Sequence, residues 1–487
     1  MRETLIEAVK HRFVAEHRTA LVIGDLMLDR YLIGEVERIS PEAPVPVVLL
    51  KQENERAGGA ANVAANLSLL GIRTTMAGII GDDAEGRALL DMLRELNIDS
   101  AIVTSQQRPT VTKTRILGGH QQMMRLDKES RLAFTESENN ALHEQVSQAI
   151  AQKPDVIILS DYAKGVLSDA LCQAVIAQAK ALGIPVLVDP KGRDYTKYQG
   201  ATALTPNKKE TSEACGIDAM DTDRLLQAAA DLRDHLGLVF LAVTRGEEGI
   251  SLLEQNETIH IPAAAKQVFD VSGAGDTVIA TLAAGLVHGL SHRQAFELAN
   301  IAAGIVVGKV GTVPVNREEL LAELISQDSV EQADKICELE TLLGRVRQWR
   351  QQKKRIVFTN GCFDLLHAGH VTYLEAARKT GDKLILGLNT DRSVSALKGP
   401  SRPVIHEADR ARVLAALEAV DAVILFDEDT PLQLIDAIRP DVIVKGSDYS
   451  EDQVVGGKEV KSWGGKVALI DIVPGRSTSN IIEKLGA

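Results

Sequence analysis

Two short stretches of this 487-residue chain combine residue types at spacings that suit phosphate chemistry. The first is Asp270-Val-Ser-Gly-Ala-Gly-Asp-Thr277, which runs straight into the apolar stretch VIATLAAGLVHGL. Small residues there leave successive backbone N–H groups open at a helix start, where partial positive charge gathers. Gly273, Ala274 and Gly275 would form an anion hole around a transferring phosphoryl group. Asp276 stands at its mouth, placed to take the proton of an attacking hydroxyl. A capped helix with a glycine turn is the competing reading of these residues taken alone. The second stretch is Thr359-Asn-Gly-Cys-Phe-Asp-Leu-Leu-His-Ala-Gly-His370, directly before the helical pattern VTYLEAARK. His367 and His370 at a helix start can donate hydrogen bonds to an α-phosphate as it becomes five-coordinate, with no covalent nucleophile. Zinc is the alternative for paired histidines, but the chain shows neither an HExxH pattern nor a cysteine cluster here, so no protein metal cage is expected. Cys362 reads as a strand-end thiol rather than a nucleophile.

Periodicity gives the elements that must hold these residues. From Ala20 onward the runs TALVIGD, DVIILSD, IPVLVDP and LVFLAVT alternate with Ala- and Leu-rich helical patterns. Such alternation means an α/β fold, a mainly parallel sheet covered on both faces. Each run ends in Asp, Thr or Pro after Asp, which puts polar groups at the carboxyl ends of strands, where open α/β sheets bind ligands. The segment YLIGEVERISPEAPVPVVLL lies outside the alternation and reads as short extended strands. Between Asn316 and Arg355 the pattern turns to charged helix without a strand, and a second α/β series then runs from RIVFTNG to VALIDIV. The expected division is therefore residues 1–318, a helical connection over 319–352, and 353–487.

Composition excludes several classes of function. The 54 Lys and Arg against 67 Asp and Glu give a net charge of -13, which does not attract a polyanion, so no nucleic-acid partner is expected. Cys172, Cys215, Cys337 and Cys362 are scattered without a close pair, which fits free thiols in a reducing cytoplasm. The most apolar stretch, Thr277 to Leu290, is too short for a bilayer, which takes about 20 apolar residues, so no membrane insertion is expected.

Beyond these readings, nearly all of residues 10–318 resembles the ribokinase, or PfkB, family of carbohydrate kinases. Two signatures carry the resemblance: Ala57-Gly-Gly-Ala-Ala-Asn62 before a helix, and DVSGAGDT. The resemblance implies a three-layer kinase domain with a small β lid that often serves as a homodimer contact. It implies sugar contacts by Asp29, Gly58, Gly59 and Asn62. It also implies that Asn207 and Glu210 organise magnesium and the nucleotide phosphates, with Thr244 and Gly246 in a nucleotide loop. Taken alone, Asp29 could be a turn residue, Asn207 to Glu210 a capped helix start, and the Thr244 loop an ordinary turn. Lys164, Asp189 and Lys191 follow strand ends in DYAKG and VDPK, where the lysines could hold a phosphate already on the sugar; Arg115 and Arg125 are further candidates. Singly, each such charge is more often a solvated one.

Residues 353–480 resemble the HxGH signature of the cytidylyltransferase-like nucleotidyltransferases, a Rossmann-like fold. That resemblance places Gly361, Phe363, Asp364, Lys398, Lys445, Arg476, Ser477 and Thr478 at the nucleotide, although Arg476 precedes its Ser/Thr run where several relatives place the basic residue after it. The two halves fused in one chain resemble the bifunctional enzymes of ADP-heptose synthesis. This implies ATP with Mg2+ as cofactor, heptose phosphates as substrates and a separate phosphatase acting between the two steps, and it admits a monovalent cation. Another kinase fused to a cytidylyl- or adenylyltransferase, or a non-catalytic sugar-nucleotide sensor, would keep the same motifs.

Overall fold

In the computed structural model, residues 2–119, 121–264 and 268–471 are described; Arg476, Ser477 and Thr478 lie outside them. The chain divides into two units, residues 1–325 and 326–487.

The first unit is built around β1 (Thr19–Gly24), whose alternate residues serve two cores. Ala20 and Val22 join one buried cluster, Leu21 and Ile23 the other, as the two-residue period of a strand dictates. On the first face lie the helices Ala60–Leu69, Ala84–Glu95, Ala274–Val287 and His292–Val306. On the second lie Glu136–Ala151, Asp169–Leu182 and Thr222–Leu236, so the expected three layers are present.

The central sheet comprises β1, β4 (Arg73–Gly81), β5 (Asp99–Ser105), β8 (Val156–Ser160), β9 (Val186–Asp189), β10 (Ala203–Leu204), β11 (Phe240–Thr244), β12 (Ile250–Leu253) and β13 (Thr258–Ile261). Its order is β13-β12-β11-β10-β9-β8-β1-β4-β5, parallel except at β12 and β13. Since β1 pairs with β4 on one side and β8 on the other, the strand order reverses there, which opens a crevice at its carboxyl end.

A separate four-stranded lid has the order β3-β2-β6-β7, from β2 (Leu26–Ile39), β3 (Pro46–Gly59), β6 (Val111–Gly118) and β7 (Gln121–Lys128). The sequence pattern anticipates only the β2–β3 excursion. Ile39, Leu49, Leu50, Met124 and Leu126 of this lid are each more than half exposed.

The charged stretch expected as a connection is shared out between the units. In the Arg317–Asp334 helix, Leu320 and Leu324 are buried in the first core, whereas Leu342 and Val346 of the Leu339–Gln351 helix belong to a core of the second unit. A few apolar residues at helical spacing suffice to anchor each helix despite the charge around them.

The second unit has a parallel sheet of β14 (Ile356–Gly361), β15 (Lys383–Asn389), β16 (Ala422–Phe426), β17 (Val442–Gly446) and β18 (Lys466–Ile470), ordered β16-β15-β14-β17-β18. Here too the first strand is central, with Ile356 and Phe358 in one core and Val357 in the other. The switch point falls at the end of β14, where Gly361 leads into the histidine motif. Among the described residues, no helix is long and apolar enough to cross a membrane.

Candidate active sites

In the first unit, Asp276 sits in the first turn of the Ala274–Val287 helix and is 2% exposed. Asn62 donates to one of its carboxylate oxygens at 2.8 Å, and the Tyr162 hydroxyl donates to the other at 2.6 Å. Burial lifts this carboxyl to about 6, while the Asn62 and Tyr162 hydrogen bonds restrain the rise. A base with that value remains ionised near neutrality and is well matched to accept a proton there. Gly273 caps the helix at φ +79°; a Cβ on it would lie 2.8 Å from the Asn62 amide nitrogen, so this position must be glycine for Asn62 to reach Asp276. The early and late glycine motifs, more than 200 residues apart, thus meet at one carboxylate. Of the N–H groups over residues 273–275, that of Ala274 donates to the Val271 carbonyl at 3.2 Å, outside the helix that begins there.

Asp29, buried on β2, accepts from Arg115 at 2.6 Å and from the Thr312 hydroxyl at 2.9 Å. Gly58 passes so close that a Cβ would stand 2.5 Å from the Asp29 carboxylate. Gly59 follows at the end of β3. Asp189, at the end of β9, faces the helix start: its Oδ2 is 4.0 Å from where a Gly275 Cβ would be. Burial, with the nearby Asp276 and Glu210 carboxylates, pushes the Asp189 carboxyl well above the usual range.

Asn207 and Glu210 form a reciprocal helix cap, each side chain accepting from the other's backbone N–H at 2.9 and 3.0 Å. The structural role that the sequence left open is therefore present. It places both residues beside the end of β11, where Thr244 bridges to Asn207 and Gly246 makes the turn. Lys191 is paired with Glu210 at 2.6 Å and Lys164 with Glu129 at 2.6 Å, so both lysines read as phosphate holders already have carboxylate partners. Among the described residues, no cluster of three or more His, Cys, Asp or Glu side chains could hold a metal by itself. Asn207 and Glu210 offer hard oxygen atoms, and that donor set suits a cation bound mainly by phosphates and water.

Sequence reasoning missed two residues of this site. Tyr162 lies within DYAKG, but only the fold brings its hydroxyl to Asp276. Asp25, buried after β1, accepts from the backbone N–H groups of Tyr162, Lys164 and Val166 at 2.8 to 3.1 Å and so fixes the loop that presents Tyr162.

In the second unit, His367 occupies the N-cap position of the Ala368–Arg378 helix and His370 its first turn. Their rings stack with centroids 3.9 Å apart, and Phe363 meets His370 edge-on at 5.1 Å. Burial takes His370 down to about 4, with the neighbouring His367 and Lys398 acting in the same sense. It is a neutral imidazole at physiological pH, able to donate from one nitrogen. Lys445, the penultimate residue of β17, donates from its ammonium to the Asn360 carbonyl at 3.0 Å, and burial lowers it to about 8. Lys398, at the end of the Asp391–Lys398 helix, is exposed.

Asp364 is fully engaged within the protein: it accepts from the N–H groups of Val404 and Ile405 at 2.7 and 3.1 Å and from Arg402. Burial would raise its carboxyl, but the Ile405, Arg402 and Val404 bonds together hold it below the usual range. It anchors the loop at residues 402–405. Arg410, which the sequence did not single out, reinforces this loop. Buried itself, it donates to the carbonyls of Cys362 and Ile405 at 2.6 and 2.9 Å and pairs with Asp391 at 2.7 Å.

Over its full length the chain is 69% identical to the bifunctional protein HldE of Methylobacillus flagellatus, covering 100% of both sequences. The chain belongs to the HldE family. The HldE protein of Magnetococcus marinus is 55% identical, over 99% of this chain and 100% of the relative. Within the family's two-part organisation, residues 18–319 match the pfkB family of carbohydrate kinases and residues 358–483 the cytidylyltransferase-like family. The crystal structure of phosphofructokinase-2 from Escherichia coli in complex with potassium superposes with a TM-score of 0.54 at 20% identity, covering 64% of this chain and 99% of that one. A putative ribokinase from Agrobacterium tumefaciens gives 0.51 at 21% identity, covering 64% and 99%. Both share the fold of the first unit.

Proposed function

We propose that this chain phosphorylates D-glycero-β-D-manno-heptose 7-phosphate at O1 and, at its second site, transfers AMP from ATP to heptose 1-phosphate, giving ADP-heptose for the lipopolysaccharide inner core. What supports this reading is a buried base at one helix start and stacked histidines at another, in a chain similar from end to end to bifunctional HldE proteins. Residues 1–318 would carry the kinase and 353–487 the transferase, with 319–352 joining them.

In the kinase step, Asp276 takes the proton of the O1 hydroxyl as O1 bonds to the γ-phosphorus. The bond from that phosphorus to the β,γ-bridging oxygen breaks, and ADP leaves. The N–H groups over residues 273–275 stabilise charge on the transferring oxygens. Asn207 and Glu210 are the residues that would hold Mg2+, which when bound supplies neutralisation of the triphosphate charge. Asp29, held by Arg115 and Thr312, orients sugar hydroxyls.

In the transfer step, an oxygen of the sugar phosphate attacks the α-phosphorus and pyrophosphate leaves. His367 and His370 hydrogen-bond the five-coordinate phosphorus oxygens, and Lys445 adds positive charge at the strand end. Arg476, Ser477 and Thr478 would hold the outer phosphates.

The exposed apolar residues of the kinase lid support a homodimer through that lid. Activation by a monovalent cation and a cytoplasmic location complete the reading.

The test is direct. With Mg-ATP, heptose 7-phosphate should release ADP, and heptose 1-phosphate should release pyrophosphate. Silence with both, against activity on another sugar or with CTP, would discard the heptose assignment.

A further inference from the structure

Two asparagines one turn apart, Asn62 and Asn66, lie in the Ala60–Leu69 helix, and both are buried. Asparagine is a poor helix former, and a buried amide must find partners for two donor and two acceptor positions. Asn62 meets the Asp276 carboxylate directly. Asn66 does not, yet it uses all four of its positions within the protein. Its oxygen accepts from the Val315 backbone N–H at 3.0 Å and from the Thr277 hydroxyl at 3.3 Å. Its nitrogen donates to the Asn62 carbonyl at 2.9 Å and to the Asn62 side-chain oxygen at 3.3 Å.

Two of these partners admit no choice of direction. A backbone N–H can only donate and a backbone carbonyl can only accept. Val315 therefore fixes the oxygen end of the Asn66 amide, and the Asn62 carbonyl fixes its nitrogen end. The direction then passes to Asn62. Because the Asn66 nitrogen meets the oxygen of the Asn62 amide, the Asn62 nitrogen is turned toward Asp276, to which it donates at 2.8 Å. Reversing Asn62 would set nitrogen against nitrogen on one side and oxygen against a carboxylate oxygen on the other. A fixed sense of donation thus runs from the backbone at Val315, through two buried amides, to Asp276. The same stretch of chain also reaches Asp29, through the Thr312 hydroxyl.

We propose that Asn66 is a positioning residue for phosphoryl transfer: it fixes the Asn62 amide so that a donor, and not an acceptor, faces the Asp276 carboxylate. The inference rests on the reading of Asp276 as the kinase base and deepens it. A donor favours the charged form of a carboxylate and an acceptor opposes it, so Asn66 acts on the ionisation of Asp276 without touching it. The titratable groups around Asp276 are Tyr162 after β8, Asp29 on β2, Lys113 on β6 and Asp189 at the end of β9. Among the described residues none of these four is hydrogen-bonded to Asn66, whose partners are Asn62, Thr277 and Val315.

The experiment compares the wild type with Asn66→Ala, Asn66→Leu, Asn62→Ala and the Asn62→Ala/Asn66→Ala double variant, all in the full chain. Two midpoints are read for each: the acid limb of kcat/KM for ADP release with heptose 7-phosphate, and the carbon-13 shift of the Asp276 carboxyl against pH, identified by its loss in Asp276→Asn. The expected result is that Asn66→Ala raises both midpoints by up to about one pH unit, since the charged form loses an oriented donor, and that the double variant titrates as Asn62→Ala does alone. Asn66→Leu, which fills the space of the amide, gives the same reading should the alanine variant not fold. Unchanged midpoints in the folded Asn66 variants overturn the proposal, because Asn66 then only packs. A further shift in the double variant overturns it too, because Asn66 then reaches the base by another route. The carboxyl titration needs no substrate. A wild type that releases no ADP with heptose 7-phosphate therefore refutes the substrate reading, while the orientation of Asn62 is still decided by the carboxyl midpoints.

Discussion

The two sites solve related problems with groups in different charge states. Both lie where a parallel sheet reverses its strand order, and both set their candidate residues at the start of a helix. Burial disfavours the charged form in each. In the kinase it raises Asp276 to about 6, which leaves the carboxylate charged at neutral pH yet basic enough to accept a proton. In the transferase it lowers His370 to about 4, which leaves the imidazole neutral and a donor. In the proposed roles, one physical cause thus prepares a base in one unit and a hydrogen-bond donor in the other. A nucleophile that arrives as a hydroxyl needs a base, whereas one that arrives as a phosphate does not.

Substitutions should separate the two sites cleanly. The largest effect is expected for Asp276→Asn, which should lower kinase turnover by about 10²- to 10⁴-fold, the worth of a general base, and leave adenylyl transfer unchanged. Equal loss of both activities would break the comparison. His370→Ala should do the reverse, lowering pyrophosphate release by roughly 10²- to 10³-fold while ADP release persists. Gly58→Ala should cost less. Its Cβ would displace the Asp29 carboxylate, and a displacement of that kind should lower kinase kcat/KM by on the order of 10- to 100-fold; an unaltered value would remove Asp29 from the sugar site. Tyr162→Phe is the smallest. Removing a donor to the charged form of Asp276 should move the acid limb of the kinase profile upward by up to about one pH unit, and a downward shift would contradict the assigned hydrogen bond.

The parts legible in the sequence were those with a local signature. Strand and helix alternation, the helix start at Asp276 and the histidine pair at 367 and 370 each rest on residues close in the chain, where backbone geometry alone fixes their neighbours. Tyr162 and Arg410 were not legible because their partners are distant: Tyr162 reaches Asp276, and Arg410 reaches Cys362. Nothing in the spacing of DYAKG distinguishes the tyrosine from the lysine, and the lysine drew attention because its charge suggested a phosphate. The fold shows that lysine paired with Glu129. The charged stretch after Asn316 was only partly legible for a related reason. Its net polarity hid Leu320, Leu324, Leu342 and Val346, whose burial assigns the helices to the cores on either side.

The comparison between the sites is tested most directly by the pH dependence of kcat/KM for both activities in one preparation. Protonation removes the base as pH falls through the Asp276 value, so ADP release should decline below about pH 6. Pyrophosphate release should hold steady until the pH approaches about 4, where His370 becomes charged. Two profiles that fall together at one midpoint would contradict the account.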